Sequence, residues 1–430
     1  MGYGHDRAAH GLEEIAYGSF ITSNNYKGIP PLDKKLWRET RELYETISRF
    51  KPIPVIGDLI FSTLDYIQEI PAFYPRRDLS KPNLQVKGMY TLIKRGLMKH
   101  LTTTLMERRR LPVICTFPLS AHAMEYHGYP EDIYTLVTDT DMSRSWVAMD
   151  PKRSKIKYLA PTGRVVERLK LYGVRSENIF LTGFPIPRKI IGGPESSILK
   201  KDMAQRICNL DPKGIFTSRY WRTLEAELGV KACKVHKSKP VTITFSVGGA
   251  GAQRQLAVQI AKALREKIRR HEIKLILVAG THQALASYFH AHLRAAGLGP
   301  SINNGISIYF KKDRHEYFNA FDRILQKTDI LWTKPSELSF YTGAGIPIIM
   351  APPIGSQEEF NKLWLQNVGG GVQMYDADTC AEWLQDWIDG GALARMAWNG
   401  YIEAPTHGSY RIESVITGTE FGTQPLPLVV

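Results

Sequence analysis

Several features of common protein classes are scarce or missing in this 430-residue sequence. It has only four cysteines, scattered and without a CxxC pair, which predicts reduced thiols and makes a zinc site unexpected. No apolar run approaches the ~18–20 residues that a bilayer-spanning helix needs. The polar, glycine-rich first residues do not read as a signal peptide. We therefore expect a cytoplasmic protein without a membrane-spanning segment.

The composition indicates a soluble globular protein with an anionic partner. Hydrophobic residues make up 43% and charged residues 23% of the chain, both ordinary values. A chain of this length is expected to form two domains rather than one. The net charge of +14 favours phosphates, nucleic acid or an anionic membrane face as partner.

The most informative stretch is Val241–Arg254, VTITFSVGGAGAQR. Its apolar, β-branched start predicts a buried strand, its glycines a turn, and the spacing after Gln253 a helix. A glycine turn and a helix start both present backbone N–H groups, so together they can hold a phosphate. The pattern matches neither GxGxxG nor GxxxxGK[ST], so no dinucleotide fold or P-loop is implied. A tight turn in any α/β domain remains an alternative.

Strands and helices alternate over most of the remaining chain, which predicts parallel sheets covered on both faces. We expect an N-terminal domain at 1–190, a C-terminal domain at 191–407, and a crossover helix with a tail at 408–430. The first residues, GYGH, resemble a glycine turn that feeds a helix. No strand precedes them, so we expect either that the first strand is absent or that the given start is an internal methionine.

The segment Val86–Arg110 combines basic residues with an apolar stripe at helical spacing. Such a helix can lie on an anionic membrane. The alternative is that the stripe packs inside its own domain.

Four motifs recur in the order and spacing of one known family: VTDTD (Val137–Asp141), LTGFPIP (Leu181–Pro187), TFSVGGAGAQ (Thr244–Gln253) and the segment Trp332–Asn361. Together they resemble the GT-B glycosyltransferases that act on membrane lipids, namely monogalactosyldiacylglycerol synthases and diacylglycerol glucosyltransferases. The peptidoglycan N-acetylglucosaminyltransferase is similar at a greater distance. The resemblance implies an α/β GT-B fold, with two doubly wound Rossmann-like domains facing a central cleft.

The resemblance implies a nucleotide-sugar donor, usually UDP-linked, in the C-terminal domain. No cofactor or metal is implied, because main-chain N–H groups and a helix dipole offset the charge of the leaving group. A glutamate at a helix start also serves as an ordinary cap, so Glu337 as ribose ligand has that alternative. The donor-binding residues that the resemblance implies are Gly248, Gly249, Gly251, Gln253, Thr281, Lys334, Glu337, Gln357, Glu358 and Asn361.

On the acceptor side the resemblance implies His5 as general base, with Asp139 as its helper, because proton removal from the attacking hydroxyl suits a histidine. Disorder of His5 near the chain start, and a capping role for Asp139, are the alternatives. Trp146 keeps the family pattern of an acceptor contact. Arg144 fits it loosely and is expected either to pair with a lipid head group or to be an ordinary surface arginine.

These observations predict an inverting, metal-independent glycosyltransferase that moves a sugar from UDP to a lipid or other hydrophobic acceptor. It would lie peripherally on the inner face of the membrane, using Val86–Arg110. A nucleotide-sugar 2-epimerase of the same fold and a non-catalytic binding protein are the rival hypotheses. Nucleic acid is not expected as partner, because no RNA-binding motif interleaves aromatics with the basic residues.

Overall fold

The computed structural model describes residues 3–39, 70–108, 110–229, 239–246, 253–353 and 356–422. These residues form two compact units. The first unit contains residues 12–183 and 411–422, and the second contains residues 3–11 and 184–410. The predicted borders placed the chain start in the first domain, whereas residues 3–11 pack in the second unit. Helix Gly408–Thr417 spans the division between residues 410 and 411.

The first unit is built on a four-stranded parallel sheet in the order β1-β2-β3-β4. The strands are β1 (Val113–Cys115), β2 (Ile133–Leu136), β3 (Lys157–Ala160) and β4 (Ile179–Leu181). Its helices are residues 31–39, Leu84–Lys94, Lys99–Arg108, Pro118–Tyr126 and Gly163–Leu171, with 3-10 turns at Glu13–Ile15, Arg144–Trp146 and Ser176–Asn178. Side-chain caps begin two helices, since Asn83 accepts from the Val86 N–H and Thr162 from the Val165 N–H.

The second unit is built on a six-stranded parallel sheet in the order β10-β9-β8-β5-β6-β7. The strands are β5 (Val241–Ser246), β6 (Ile273–Gly280), β7 (Ile306–Phe310), β8 (Ile330–Thr333), β9 (Ile348–Met350) and β10 (Gly371–Gln373). Its helices are Gly4–His10, Arg188–Ile191, Ser197–Leu210, Ile215–Leu228, Arg254–Ala263, Arg265–Arg269, Gln283–Ala295, Arg314–Lys327, Ser356–Asn367, Cys380–Asp389 and Ala392–Glu403, with 3-10 segments at Gly299–Ser301 and Glu337–Ala344.

Each unit has its own apolar core, and the two-sheet α/β architecture predicted from the sequence is confirmed. The short strand β10 is the one described strand that the alternation did not predict. Among the helices within the described ranges, none has the length and hydropathy to cross a bilayer.

The basic segment Val86–Arg110 differs from the single helix that its spacing predicts. Two helices meet at a break where Gly96 and Met98 both adopt positive φ. The apolar stripe is part of the first unit's core, in which Ile93, Leu97 and Leu101 are buried. The apolar stripe therefore packs inside its own domain, which was the alternative to membrane contact. In the described part of this segment the basic side chains are exposed: Lys87, Lys94, Arg95, Lys99, Arg108 and Arg110.

His122 makes the stability of the first unit depend on pH. It is fully buried, and its Nε2 lies 3.3 Å from the Trp146 carbonyl oxygen. Burial lowers the pKa of His122 to about 4; the Arg144 charge adds to this, while the bond to Trp146 opposes it. The unfolded chain binds this proton near pH 6.5, so stability from the neutral ring is present above that pH and is lost as the pH falls towards 4.

We expect the wild type to lose about 2 kcal/mol more unfolding free energy than His122→Gln between pH 7 and pH 5, because only the wild type carries this titration. Urea unfolding of both proteins at the two pH values measures the difference. Equal losses in the two proteins would contradict a buried neutral ring.

Candidate functional site

The order of the second sheet reverses at β5, which lies between β6 on one side and β8 on the other. The carboxyl ends of β5 and β8 are in register, with Ser246 paired to Thr333. The Thr333 hydroxyl donates to the Ser246 carbonyl oxygen at 3.1 Å and closes this end of the strand pair. Open parallel sheets bind ligands outside the carboxyl ends of strands at such a reversal. This edge is therefore the candidate site.

The predicted phosphate cradle begins where β5 ends. Gly248, Gly249 and Gly251 lie outside the described residues, so their contact with a diphosphate stays a prediction. Gln253 is described and takes a left-handed conformation with φ of 66° just before helix Arg254–Ala263. Its amide Nε2 donates to the Pro352 carbonyl oxygen at 2.8 Å. This bond ties the helix start to the segment that follows β9.

Two residues predicted to bind the donor are brought together at this edge. Lys334 follows β8 directly, and Glu358 lies in the first turn of helix Ser356–Asn367. The Lys334 ammonium forms an ion pair with the Glu358 carboxylate, and the two side chains keep 22% and 13% of their surface exposed. Gln357 is half-buried and Asn361 is buried on the same helix. Lys334 thus offers an ammonium group that can bind a phosphate. The carboxylate of Glu358 and the amides of Gln357 and Asn361 are suited to binding hydroxyl groups.

The helix Gly4–His10, called here the N-terminal helix, packs against residues that follow β6. The Tyr3 hydroxyl accepts a hydrogen bond from the Thr281 backbone N–H at 2.9 Å and lies 2.8 Å from the Thr281 Oγ1. Gly280, with φ of 63°, allows this approach, because a Cβ there would lie 2.7 Å from the Tyr3 hydroxyl oxygen. Thr281 is thus at the predicted edge, but a side chain of this chain already contacts it.

Glu337, the predicted ribose ligand, is held by Arg7 of the N-terminal helix. The Arg7 Nε donates to Glu337 Oε1 at 3.3 Å, and the guanidinium lies 4.3 Å from the Phe321 ring centroid. Arg7 is 2% exposed. Its pKa is raised above the ordinary value, because neighbouring Tyr317, Tyr341 and Glu337 outweigh the lowering by burial. The chain therefore contains a permanent buried cation whose carboxylate partner begins the 3-10 segment Glu337–Ala344.

A second group of polar contacts, centred on the buried carboxylate of Asp322, lies at the end of the same helix. The His10 Nε2 is 2.7 Å from Asp322 Oδ2, and the Lys189 ammonium lies 2.7 Å from the same oxygen.

The contacts of Tyr3, Arg7 and His10 were not predicted from the sequence. Their spacing of i, i+4 and i+7 places them on one helical face, which is the signal that was available.

The two predicted catalytic residues belong to different units. His5 is half-buried on the N-terminal helix of the second unit, and Asp139 is half-buried after β2 in the first. Their joint role stays a prediction.

The acceptor residues occupy the interior of the first unit. Arg144 is 4% exposed, and its three nitrogens donate to the backbone carbonyls of Ser80, Val147 and Ala148 at 2.6–3.1 Å. Burial lowers its pKa. Arg144 is therefore neither a surface arginine nor placed for a lipid head group, because its donors hold backbone carbonyls. Trp146 is a buried core residue.

Comparison with known proteins finds a family profile, curated relatives and solved structures that align with the chain. A family profile described as a domain of unknown function, DUF6938, matches residues 221–301 and 294–411. The chain is 22% identical over 282 residues to a processive diacylglycerol beta-glucosyltransferase of Bacillus cereus, an alignment covering 65% of this chain and 60% of that protein. The chain thus aligns with about 60% of the length of the curated relatives it matches.

Solved structures that align with the chain include a putative UDP-N-acetylglucosamine 2-epimerase from Listeria monocytogenes, at 13% identity and a TM-score of 0.49 over 80% of this chain and 83% of that one. Another is the UDP-GlcNAc 2-epimerase from Neisseria meningitidis bound to UDP-GlcNAc, at 12% identity and a TM-score of 0.45 over 84% and 89%. The resemblance to diacylglycerol glucosyltransferases that the motifs predicted is confirmed by the sequence comparison.

Proposed function

We propose that this protein is an inverting, metal-independent GT-B glycosyltransferase that moves a sugar from a nucleotide diphosphate, UDP by preference, to a lipid or other hydrophobic acceptor. The observation that carries the proposal is the ion pair of Lys334 with Glu358 at the edge where the order of the second sheet reverses. The similarity to a diacylglycerol beta-glucosyltransferase supports the transfer of a sugar and the choice of a lipid as acceptor class.

In this proposal the donor lies along the carboxyl edge of the second sheet. The Lys334 ammonium faces the diphosphate and offsets the charge that develops on it, a role that the sequence also predicts for the N–H groups of Gly248, Gly249 and Gly251. Glu358 and Gln357 accept and donate hydrogen bonds to the sugar hydroxyls. Glu337 and Thr281 face the nucleoside. Gln253 holds the start of its helix through the bond to Pro352, and Asn361 adds a donor contact from helix Ser356–Asn367.

The acceptor side of the proposal is supported by fewer contacts. His5 is the proposed base and Asp139 its helper, since an imidazole titrates near the pH at which the acceptor hydroxyl must lose its proton. Arg144 is left out, because its donors are engaged. The exposed basic side chains of Val86–Arg110 support attraction to an anionic membrane but not insertion, because the apolar stripe is buried.

Thermal unfolding with UDP, GDP, TDP, ADP and phosphate tests the donor site. We expect UDP to raise the melting temperature of the wild type, because a ligand at ~100 times its dissociation constant adds about 2.7 kcal/mol. Lys334→Ala should abolish the shift. The matched control is Lys274→Ala, which removes an exposed lysine near the amino end of β6 and should leave the shift unchanged. No shift with any nucleotide, or an unaltered shift in Lys334→Ala, would reject the donor site.

Product analysis separates the proposal from its rivals. UDP-glucose and UDP-GlcNAc are incubated with the protein, with and without diacylglycerol vesicles and in the presence of EDTA. A glycolipid formed only with vesicles supports the transferase. An epimerised nucleotide sugar formed without an acceptor identifies a 2-epimerase, and nucleotide binding without any product identifies a binding protein.

A further inference from the structure

Helix Ile215–Leu228 of the second unit has a solvent-exposed face with apolar and basic side chains. Ile215 and Arg219 lie one turn apart before a kink at Tyr220, and Trp221 and Arg222 follow directly after the kink. Ile215 is 54% and Trp221 49% exposed. Arg219 and Arg222 are exposed as well. These four residues are called the Trp221 face.

The exposure of this face is fixed by the packing of the opposite side of the helix. Phe216 and Leu224 are buried in the core of the second unit. Asp211 accepts hydrogen bonds from the backbone N–H groups of Phe216 and Thr217 at 3.2 and 2.7 Å, which anchors the helix start. The face therefore cannot turn inward without breaking this core.

The charge on this side of the unit is positive and available. The Arg222 guanidinium lies 5.2 Å from the Trp221 ring centroid, and the Arg219 guanidinium 5.6 Å from that of Tyr220. In the described part of the chain, neither guanidinium has a carboxylate within ion-pair distance.

Two nearby acidic groups, Glu227 and Asp389, are already paired, whereas Glu225 on the same helix forms no ion pair with either arginine in the described part of the chain. Glu227 accepts from the Tyr401 hydroxyl at 2.6 Å and lies 3.4 Å from the Lys200 ammonium, while Asp389 pairs with Lys213 at 2.9 Å. The arginines of the Trp221 face thus keep their charge for an external anion.

We propose that the Trp221 face binds the surface of an anionic lipid bilayer. Tryptophan and tyrosine favour the head-group level of a bilayer, where the ring is partly apolar and its polar edge stays wet. Arginine holds lipid phosphates with paired N–H groups while its stem covers apolar surface. The net charge of +14 adds long-range attraction. This surface differs from Val86–Arg110, whose apolar residues pack in the first unit, and it does not depend on the protein transferring a sugar.

Vesicle flotation of the full-length protein tests this surface, using vesicles of phosphatidylcholine with 30% phosphatidylglycerol and of phosphatidylcholine alone. We expect binding to the anionic vesicles only. Arg219→Gln/Arg222→Gln should weaken binding about fivefold for each arginine removed, and Trp221→Ala roughly fivefold to tenfold. The charge-matched control is Arg269→Gln/Arg270→Gln, two exposed arginines elsewhere in the same unit, which should change binding less than twofold.

Three results would overturn the proposal. The first is wild-type protein that does not float with anionic vesicles. The second is that Lys94→Gln/Arg95→Gln no longer floats while the variants of the Trp221 face float like the wild type. This result would place the membrane-binding surface on Val86–Arg110. The third is an equal loss of vesicle binding in the control variant Arg269→Gln/Arg270→Gln, which would show that binding depends only on net charge.

If the face binds a single-stranded oligonucleotide and not vesicles, it is a nucleic-acid surface and the proposal is wrong. Unchanged melting temperatures establish that the variants are folded.

Discussion

Arg7→Met is expected to lower the free energy of unfolding of the second unit by about 3 kcal/mol. The substitution keeps most of the side-chain volume but removes the buried cation that pairs with Glu337 and lies over the Phe321 ring. Breaking a buried ion pair at one partner leaves an uncompensated charge, which costs 3–5 kcal/mol. Glu337 keeps 15% of its side-chain surface exposed, so the lower end of that range applies. Urea unfolding of wild type and variant gives the difference.

Two further variants show whether the loss comes from the unpaired carboxylate. Arg7→Met/Glu337→Gln removes both charges and should recover part of the stability, so the two substitutions are non-additive. Arg314→Met breaks the neighbouring pair with Asp6, in which the two side chains are 52% and 33% exposed, and should cost less than about 1 kcal/mol. The free energies of unfolding lost in Arg7→Met and Glu337→Gln could instead add up in the double variant, or Arg7→Met and Arg314→Met could lose equal amounts. Either result would show that the contact of Arg7 with Glu337 contributes no more than an exposed ion pair.

Gly11→Ala is expected to displace the N-terminal helix from the second unit. A Cβ on Gly11 would lie 1.8 Å from the Pro185 carbonyl oxygen, and neither backbone can yield without moving its neighbours. Phe184, next to Pro185, is fixed by stacking on Phe340 with ring centroids 4.6 Å apart. Overpacking of this kind typically costs 1–3 kcal/mol, and we expect about 3. Limited proteolysis near the chain start and urea unfolding together report the displacement and its cost.

Gly88→Ala is the matched control for this substitution. Gly88 lies in helix Leu84–Lys94, and a Cβ there meets nothing within 4 Å. Alanine should therefore stabilise the helix by about 0.5–1 kcal/mol. Gly11→Ala with wild-type stability and wild-type protease resistance would show that the N-terminal helix does not dock as described.

The sequence was sufficient to predict the parts of the structure that depend on local pattern. Alternating apolar runs predicted nine of the ten described strands, and β10 was missed because three residues carry too little pattern. Lys334 and Glu358 could be expected at one edge, because both follow strands of the same parallel sheet at their carboxyl ends. The ion pair between them is a finding of the structure.

The residues that the sequence did not predict depend on contacts between distant parts of the chain. Tyr3 contacts Thr281 across 278 positions, and no local pattern reports such a pairing. The chain start was therefore assigned to the wrong side of the division near residue 184. Arg144 was expected either to meet a lipid head group or to lie at the surface, whereas it bonds the nearby carbonyls of Val147 and Ala148 and the carbonyl of Ser80, 64 residues away, whose approach only the fold determines.

The packing of residues 3–11 with residues 184–410 makes residues 12–183, the larger part of the first unit, an insertion of about 170 residues within the second unit. Closing an unstructured loop of that length costs about 4–5 kcal/mol of chain entropy. Gly11 and Pro185 touch, so a folded insertion holds its two ends together and removes most of that cost in advance. The second unit should consequently fold faster once residues 12–183 have folded. The connectivity of the chain therefore favours a folding order in which the insertion folds first.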